Sequence, residues 1–138
     1  MSALTSVTIC SSSKFYDTAR KAEAALRALG MTVYTPRYDY NEQLVTVDES
    51  DKARLTHEFL AKIDRSDAVF VIANDGYAGA SVCIEVGYAA GQGKTILFSE
   101  QPAELALRAL VDAVVPVDAI TDGVRSIGHA DGAARRSP

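Results

Sequence analysis

The sequence predicts a single α/β domain of the flavodoxin-like, Rossmann-like kind: a five-stranded parallel sheet, order 2-1-3-4-5, with helices on both faces. Three observations predict it. Short β-branched or apolar runs alternate with segments of helical periodicity along the chain. The run DAVFVIA (67–73) is almost unbroken in its hydrophobicity, which suits a central strand covered on both faces. The chain has 138 residues, 48% of them hydrophobic, the size and composition of one domain with a sizeable core.

SVTIC (6–10) is β-branched and runs into three serines, a strand ending in a loop. KFYDTARKAEAALRALG (14–30) carries Phe15, Ala19, Ala22, Ala25, Leu26 and Leu29 at helical spacing and closes on Gly30, a natural helix stop. MTVYTP (31–36) is a second strand stopped by Pro36, and residues 37–50 form a long polar and aromatic loop. Residues 50–66 repeat the helical pattern, with Ser50 as the expected N-cap. DAVFVIA is the third strand, 80–93 a helix, KTILFS (94–99) the fourth strand, 103–111 a short helix and AVVPV (113–117) the fifth strand. These elements place the domain within residues 1–118. Residues 119–138, ending in SIGHADGAARRSP, are expected to be a loose tail.

Acidic residues outnumber basic ones 18 to 14, and no Lys/Arg cluster forms a footprint for a nucleic-acid polymer. No apolar run approaches the ~20 residues of a membrane span, and the N-terminus lacks the basic start of a signal peptide. Cys10 and Cys83 stand far apart without a CxxC or a histidine cluster. They read as small core hydrophobes, so neither a disulfide nor a metal site is expected, and a cytoplasmic location fits.

In a 2-1-3-4-5 sheet, ligands bind beyond the carboxyl ends of the strands, between strands 1 and 3. That rule brings SSSKF (11–15) beside NDGYAGAS (74–81). GQGKT, at the end of the following helix, is not a phosphate loop: Tyr88 stands where its first glycine belongs, and the segment leaves a helix for a strand. Glu85 is the one charged residue between Gly76 and Gly93. With Ser81 and Tyr88 it forms a polar stripe just after the glycine-containing loop. It reads either as a carboxylate in a partly apolar pocket, available as nucleophile or general base, or as a Glu on an exposed strip. Ser11, Ser12 and Ser13, with Phe15, offer hydroxyls and N–H groups at a helix start, for a phosphate, for a ribose or for ordinary capping. Asp75, Gly76, Tyr77 and Gly79 line the site or simply form its turn. Arg37–Tyr40 (RYDY) stack on a base or pack on the domain or another subunit. Asp67 borders the strand end away from the cleft, and His57 and Glu58 are surface residues of the second helix.

DAVFVIA, the loop behind it and SVCIEVGYAAGQGKTILF together resemble the nucleoside 2-deoxyribosyltransferase superfamily, which includes the deoxynucleoside-monophosphate and cytidylate N-glycosidases. The likeness runs through Ser66-Asp67, Gly79 to Ser81, Glu85-Val86-Gly87-Tyr88-Ala89 and Gly93-Lys94. VTICSSSKF takes the place of the family's first strand and ligand loop, so the resemblance spans roughly residues 6–117. It implies a Glu85 nucleophile that attacks C1′ of the sugar, displaces the base and forms a glycosyl ester. A second base then gives transfer, and water gives hydrolysis. It implies a nucleoside or nucleoside 5′-monophosphate as ligand, with Ser81 and the 11–13 serines in the sugar- or phosphate-contact region. It also implies no metal or other cofactor, and a homo-oligomer, dimer or higher, for which the low-charge helix 80–93 is the natural interface. Two positions depart from the pattern. Phe59 stands where the family carries an aspartate that handles the leaving base, and Ser11 replaces a glycine. These departures raise an alternative expectation, a nucleotide-binding module without turnover.

Overall fold

Five parallel strands in the order 2-1-3-4-5 form the centre of the protein, in a computed structural model that describes residues 4–127. In chain order the strands and helices are β1 (Ser6–Cys10), α1 (Tyr16–Ala28), β2 (Thr32–Tyr34), α2 (Glu49–Asp64), β3 (Ala68–Val71), α3 (Ala80–Gly91), β4 (Thr95–Phe98), α4 (Leu105–Arg108), β5 (Ala113–Val114) and α5 (Ile120–Arg125). The register sets Val7 beside Val33 on one side and Ala68 on the other, Ala68 beside Thr95, and Leu97 beside Ala113.

The two-residue period of a strand sorts the apolar side chains onto two faces. Val7, Ile9, Phe70 and Ile72 pack with Ala19, Ala22 and Leu26 of α1 and with Ile120 and Val124 of α5. Cys10, Val69, Val71 and Phe98 pack with Phe59 and Ile63 of α2 and with Val82, Val86 and Ala89 of α3. Every residue of β3 is fully buried, as its unbroken apolar run requires.

Several boundaries differ from the sequence expectation. The second helix starts at Glu49, because Asp48 rather than Ser50 caps it: its Oδ1 accepts the Asp51 N–H at 2.8 Å. The first helix is preceded by a 3-10 turn over Ser13–Phe15, capped by the Ser12 hydroxyl. The fourth helix is a single turn, and the fifth strand ends at Val114, since Pro116 and the 3-10 turn Val117–Ala119 redirect the chain. That turn feeds α5, whose Ile120 and Val124 are buried against α1. The stretch assigned to a loose tail therefore begins with a packed helix, which the short Ile/Val spacing did not reveal. The remainder of that stretch, 128–138, lies outside the described residues.

If α5 is part of the core, Ile120→Ala will lower the unfolding free energy by about 2–5 kcal/mol, as deletion of a fully buried aliphatic side chain does. Urea denaturation measures this, and an unchanged midpoint would mean that the helix contributes nothing.

Candidate functional site

The strand order creates the site. From β1 the chain crosses to β2 by way of α1 on one face, then to β3 by way of α2 on the other. The two crossovers diverge above the carboxyl ends of β1 and β3 and leave a crevice there. A cleft of ≈ 330 Å³ opens there, lined by residues 11–14 and Tyr16, part of the 36–43 loop, one side of α2, Tyr77 and the start of α3. Its volume sits at the low end of the ~300–1,000 Å³ typical of small-molecule sites.

Glu85 lies on the floor of this cleft. Its helix turns Val82, Val86 and Ala89 into the core, so Glu85 is carried to the cleft side without leaving the apolar floor. Loss of hydration there disfavours the charged form and pushes the carboxyl up to about 8. Two neighbours oppose that shift: the Cys10 thiol, which hydrogen-bonds to the carboxylate from the end of β1, and the Lys52 ammonium on α2. Cys10 is itself fully buried, and burial followed by the Glu85 charge raises its thiol well above the ordinary range. Cys10 is thus an unreactive core residue, as its apolar strand implied, and also a polar neighbour of Glu85.

Of the residues singled out in the sequence, Ser11, Ser12, Ser13, Tyr77, Gly79, Ser81 and Glu85 meet around the cleft. Their polar groups are partly engaged. Ser11 Oγ donates to the Ser12 carbonyl at 2.8 Å, and Ser13 Oγ accepts from Gln43 Nε2 at 3.2 Å. Phe15, Asp75, Gly76 and Tyr88 lie elsewhere. Phe15 packs edge-on against Tyr77 with ring centroids 5.8 Å apart and braces the cleft wall from behind. Asp75 and Gly76 make the turn after β3 at φ 55° and 78°, and a Cβ on Gly76 would meet the Ala103 backbone nitrogen at 3.0 Å. Tyr88 points down its helix and donates to Asp64 Oδ1 at 2.6 Å, so the polar stripe of α3 divides after Glu85.

The cleft also gathers residues that the sequence did not assign to it: Tyr16, Lys52, Thr56 and Lys62, and the exposed Glu58 stands at its edge. For the four on α2, helical spacing from Phe59 was the signal; Tyr16 opens α1 directly after the serine loop. The RYDY stretch divides. Arg37 and Tyr40 line the cleft, while Tyr38 packs edge-on to Tyr16 at 5.0 Å and donates to Glu23 Oε1 at 3.2 Å. Phe59 is buried and contributes hydrocarbon to the α2 wall. Lys62 leans past it and donates to the Thr35 carbonyl at 2.8 Å, and burial lowers its ammonium below the ordinary lysine range. Asp67 sits at the opposite end of the sheet and accepts from the Thr5 N–H and hydroxyl, each at 2.8 Å. Among the described residues no helix is long and apolar enough to cross a membrane, and no group of three or more His, Cys, Asp or Glu could hold a metal ion.

A family model described as nucleoside 2-deoxyribosyltransferase matches residues 11–126. Among solved structures, a 2-deoxyribosyltransferase from the psychrotolerant bacterium Bacillus psychrosaccharolyticus is 21% identical, with a TM-score of 0.61 over 82% of this chain and 88% of that one. A conserved protein from Enterococcus faecalis V583 is 16% identical, with a TM-score of 0.59 over 90% of this chain and 99% of that one. At these identities the two structures share its fold. No curated protein matches the sequence.

The elevated Glu85 carboxyl has a consequence for stability. The folded state holds this proton more tightly than the unfolded chain, whose Glu titrates near 4.5. Its contribution is complete below about pH 4.5 and is lost as pH rises to about 8. Thermal melts of wild type and Glu85→Gln will therefore diverge in that window, the variant gaining relative Tm toward pH 8. Parallel pH profiles would show that the carboxyl is not desolvated.

Proposed function

Because the chain belongs to the nucleoside 2-deoxyribosyltransferase family, we propose that it breaks the N-glycosidic bond of a nucleoside or nucleoside 5′-monophosphate, with Glu85 as the nucleophile. The observation that carries this reading is one carboxylate on the partly apolar floor of a nucleoside-sized cleft at the switch point of the sheet. An ionised Glu85 attacks C1′ as the base departs with the electrons of the C1′–N bond, leaving a glycosyl ester. The ester is resolved by a second base, which takes the sugar, or by water. Both outcomes retain configuration at C1′ through two displacements. In this reading Ser81 and the serines of the 11–13 loop, all lining the cleft, meet the hydroxyl or phosphate groups of the sugar.

Desolvation raises the energy of the carboxylate, which sharpens its nucleophilicity once formed but lowers its population at neutral pH. In the unliganded enzyme kcat/KM will climb about tenfold per pH unit and level off near pH 8, the value of Glu85. A profile flat from pH 5 to 8 would exclude Glu85 as the titrating nucleophile.

The direct test is chromatography of released base from nucleosides and 5′-nucleotides, with and without an acceptor base. Wild type is expected to release or exchange base. Glu85→Ala, with an unchanged circular dichroism spectrum, is expected to lose at least a thousandfold, on the order of what nucleophile removal costs. Turnover retained in Glu85→Ala would sink the mechanism, whereas nucleotide binding without turnover in the wild type would leave a binding module on the same fold.

A further inference from the structure

Titratable groups from four segments of the chain share the cleft region with Glu85. Cys10 lies beneath it at the end of β1, Tyr16 stands at the start of α1, Glu42 comes from the loop before α2, and Lys52 from the first turn of α2. Tyr16 stays neutral: burial, then Glu85, Glu42 and Asp39 in turn, push its phenol up to about 12. Lys52 lines the same cleft as Glu85, and its charge favours the ionised carboxylate. The other cleft cations are occupied differently. Arg37 forks onto Asp39 at 2.9 and 2.7 Å, Lys62 is tied to the Thr35 carbonyl, and Lys14 lies over the Tyr77 ring.

Lys52 is shared. Its Nζ donates to Glu42 Oε1 at 2.6 Å, and both side chains are about half exposed. Glu42 is itself held at the mouth of the cleft, since its neighbour Gln43 donates to Ser13 Oγ across the opening. A surface ion pair of this kind adds little to stability. Placed beside a desolvated carboxylate, the same ammonium stabilises the ionised form of Glu85, and the Glu42 charge withdraws part of that effect.

We propose that Lys52 is the positioning residue that raises the ionised fraction of Glu85, and that Glu42, paired with it at the cleft mouth, sets how much of the Lys52 charge Glu85 receives. The role of Glu85 as nucleophile comes from the function proposed above. The coupling among the three charges can be measured without turnover.

The test is a ¹³C NMR titration of the Glu85 carboxyl in wild type, Lys52→Met and Glu42→Gln. Lys52→Met removes the cation and keeps the stem, so Glu85 will titrate at higher pH. Glu42→Gln removes the competing anion, so Glu85 will titrate at lower pH. A displacement of about one pH unit in each case corresponds to roughly tenfold in the ionised fraction on the acid side. In base-release assays at pH 6, kcat/KM should then fall about tenfold in Lys52→Met and rise in Glu42→Gln. An ion pair that merely anchors the loop predicts something else: no movement of the Glu85 titration in either variant, or movement in the same direction in both. Either result overturns the proposal. Opposite titration shifts in a wild-type protein that releases no base would uphold the coupling and remove the glycosidic function.

Discussion

The two-sided burial of β3 is the constraint from which the rest of the structure follows. A strand made of Ala, Val, Phe and Val cannot show either face to water, so helices must cover both. Right-handed crossovers then put α1 and α2 on opposite sides of the sheet, and a crevice opens above β1 and β3 where they part. The cleft is thus a by-product of satisfying hydrophobic burial in the centre of the sheet. The residues that give it chemical character are additions at the strand ends and on the first turns of the helices.

The site is an electrostatic compromise. Moving a carboxylate from water to the floor of the cleft is unfavourable, and the protein offsets that only in part with a thiol hydrogen bond and one nearby ammonium. A guanidinium fork or several backbone N–H groups would have stabilised the anion fully and left it a poor nucleophile. The weaker donors leave Glu85 close to balance between its neutral and charged forms.

The strand order was legible because β3 and β4 are short and apolar and the strands alternate with helices along the chain. Glu85 was legible because the helix around it carries no other charge. The remainder was less so, for physical reasons. Lys52, Thr56, Glu58 and Lys62 lie on a helix with charges on several sides, and only the packing of Phe59 and Ile63 against the sheet decides which of them turn toward the cleft. Tyr88 shares the helical stripe of Glu85, but a 2.6 Å bond to Asp64 draws it toward the opposite end of the sheet. The burial of α5 hides in a segment whose composition resembles a tail, because two aliphatic residues four apart suffice to dock one short helix.

The walls of the cleft come from two kinds of chain. Its floor and Glu85 belong to β1 and α3, which are fixed by core packing. Much of the opposite wall belongs to the 36–48 stretch, tied down by a few polar contacts from Gln43, Glu42 and Arg37. Changing the length of such a loop alters its closure entropy only slightly. The carboxylate on the floor and the loop that walls it are therefore encoded in separate segments of sequence. Insertions and substitutions in the loop can reshape the mouth of the cleft while its packed floor stays intact, which makes this fold easy for evolution to retarget.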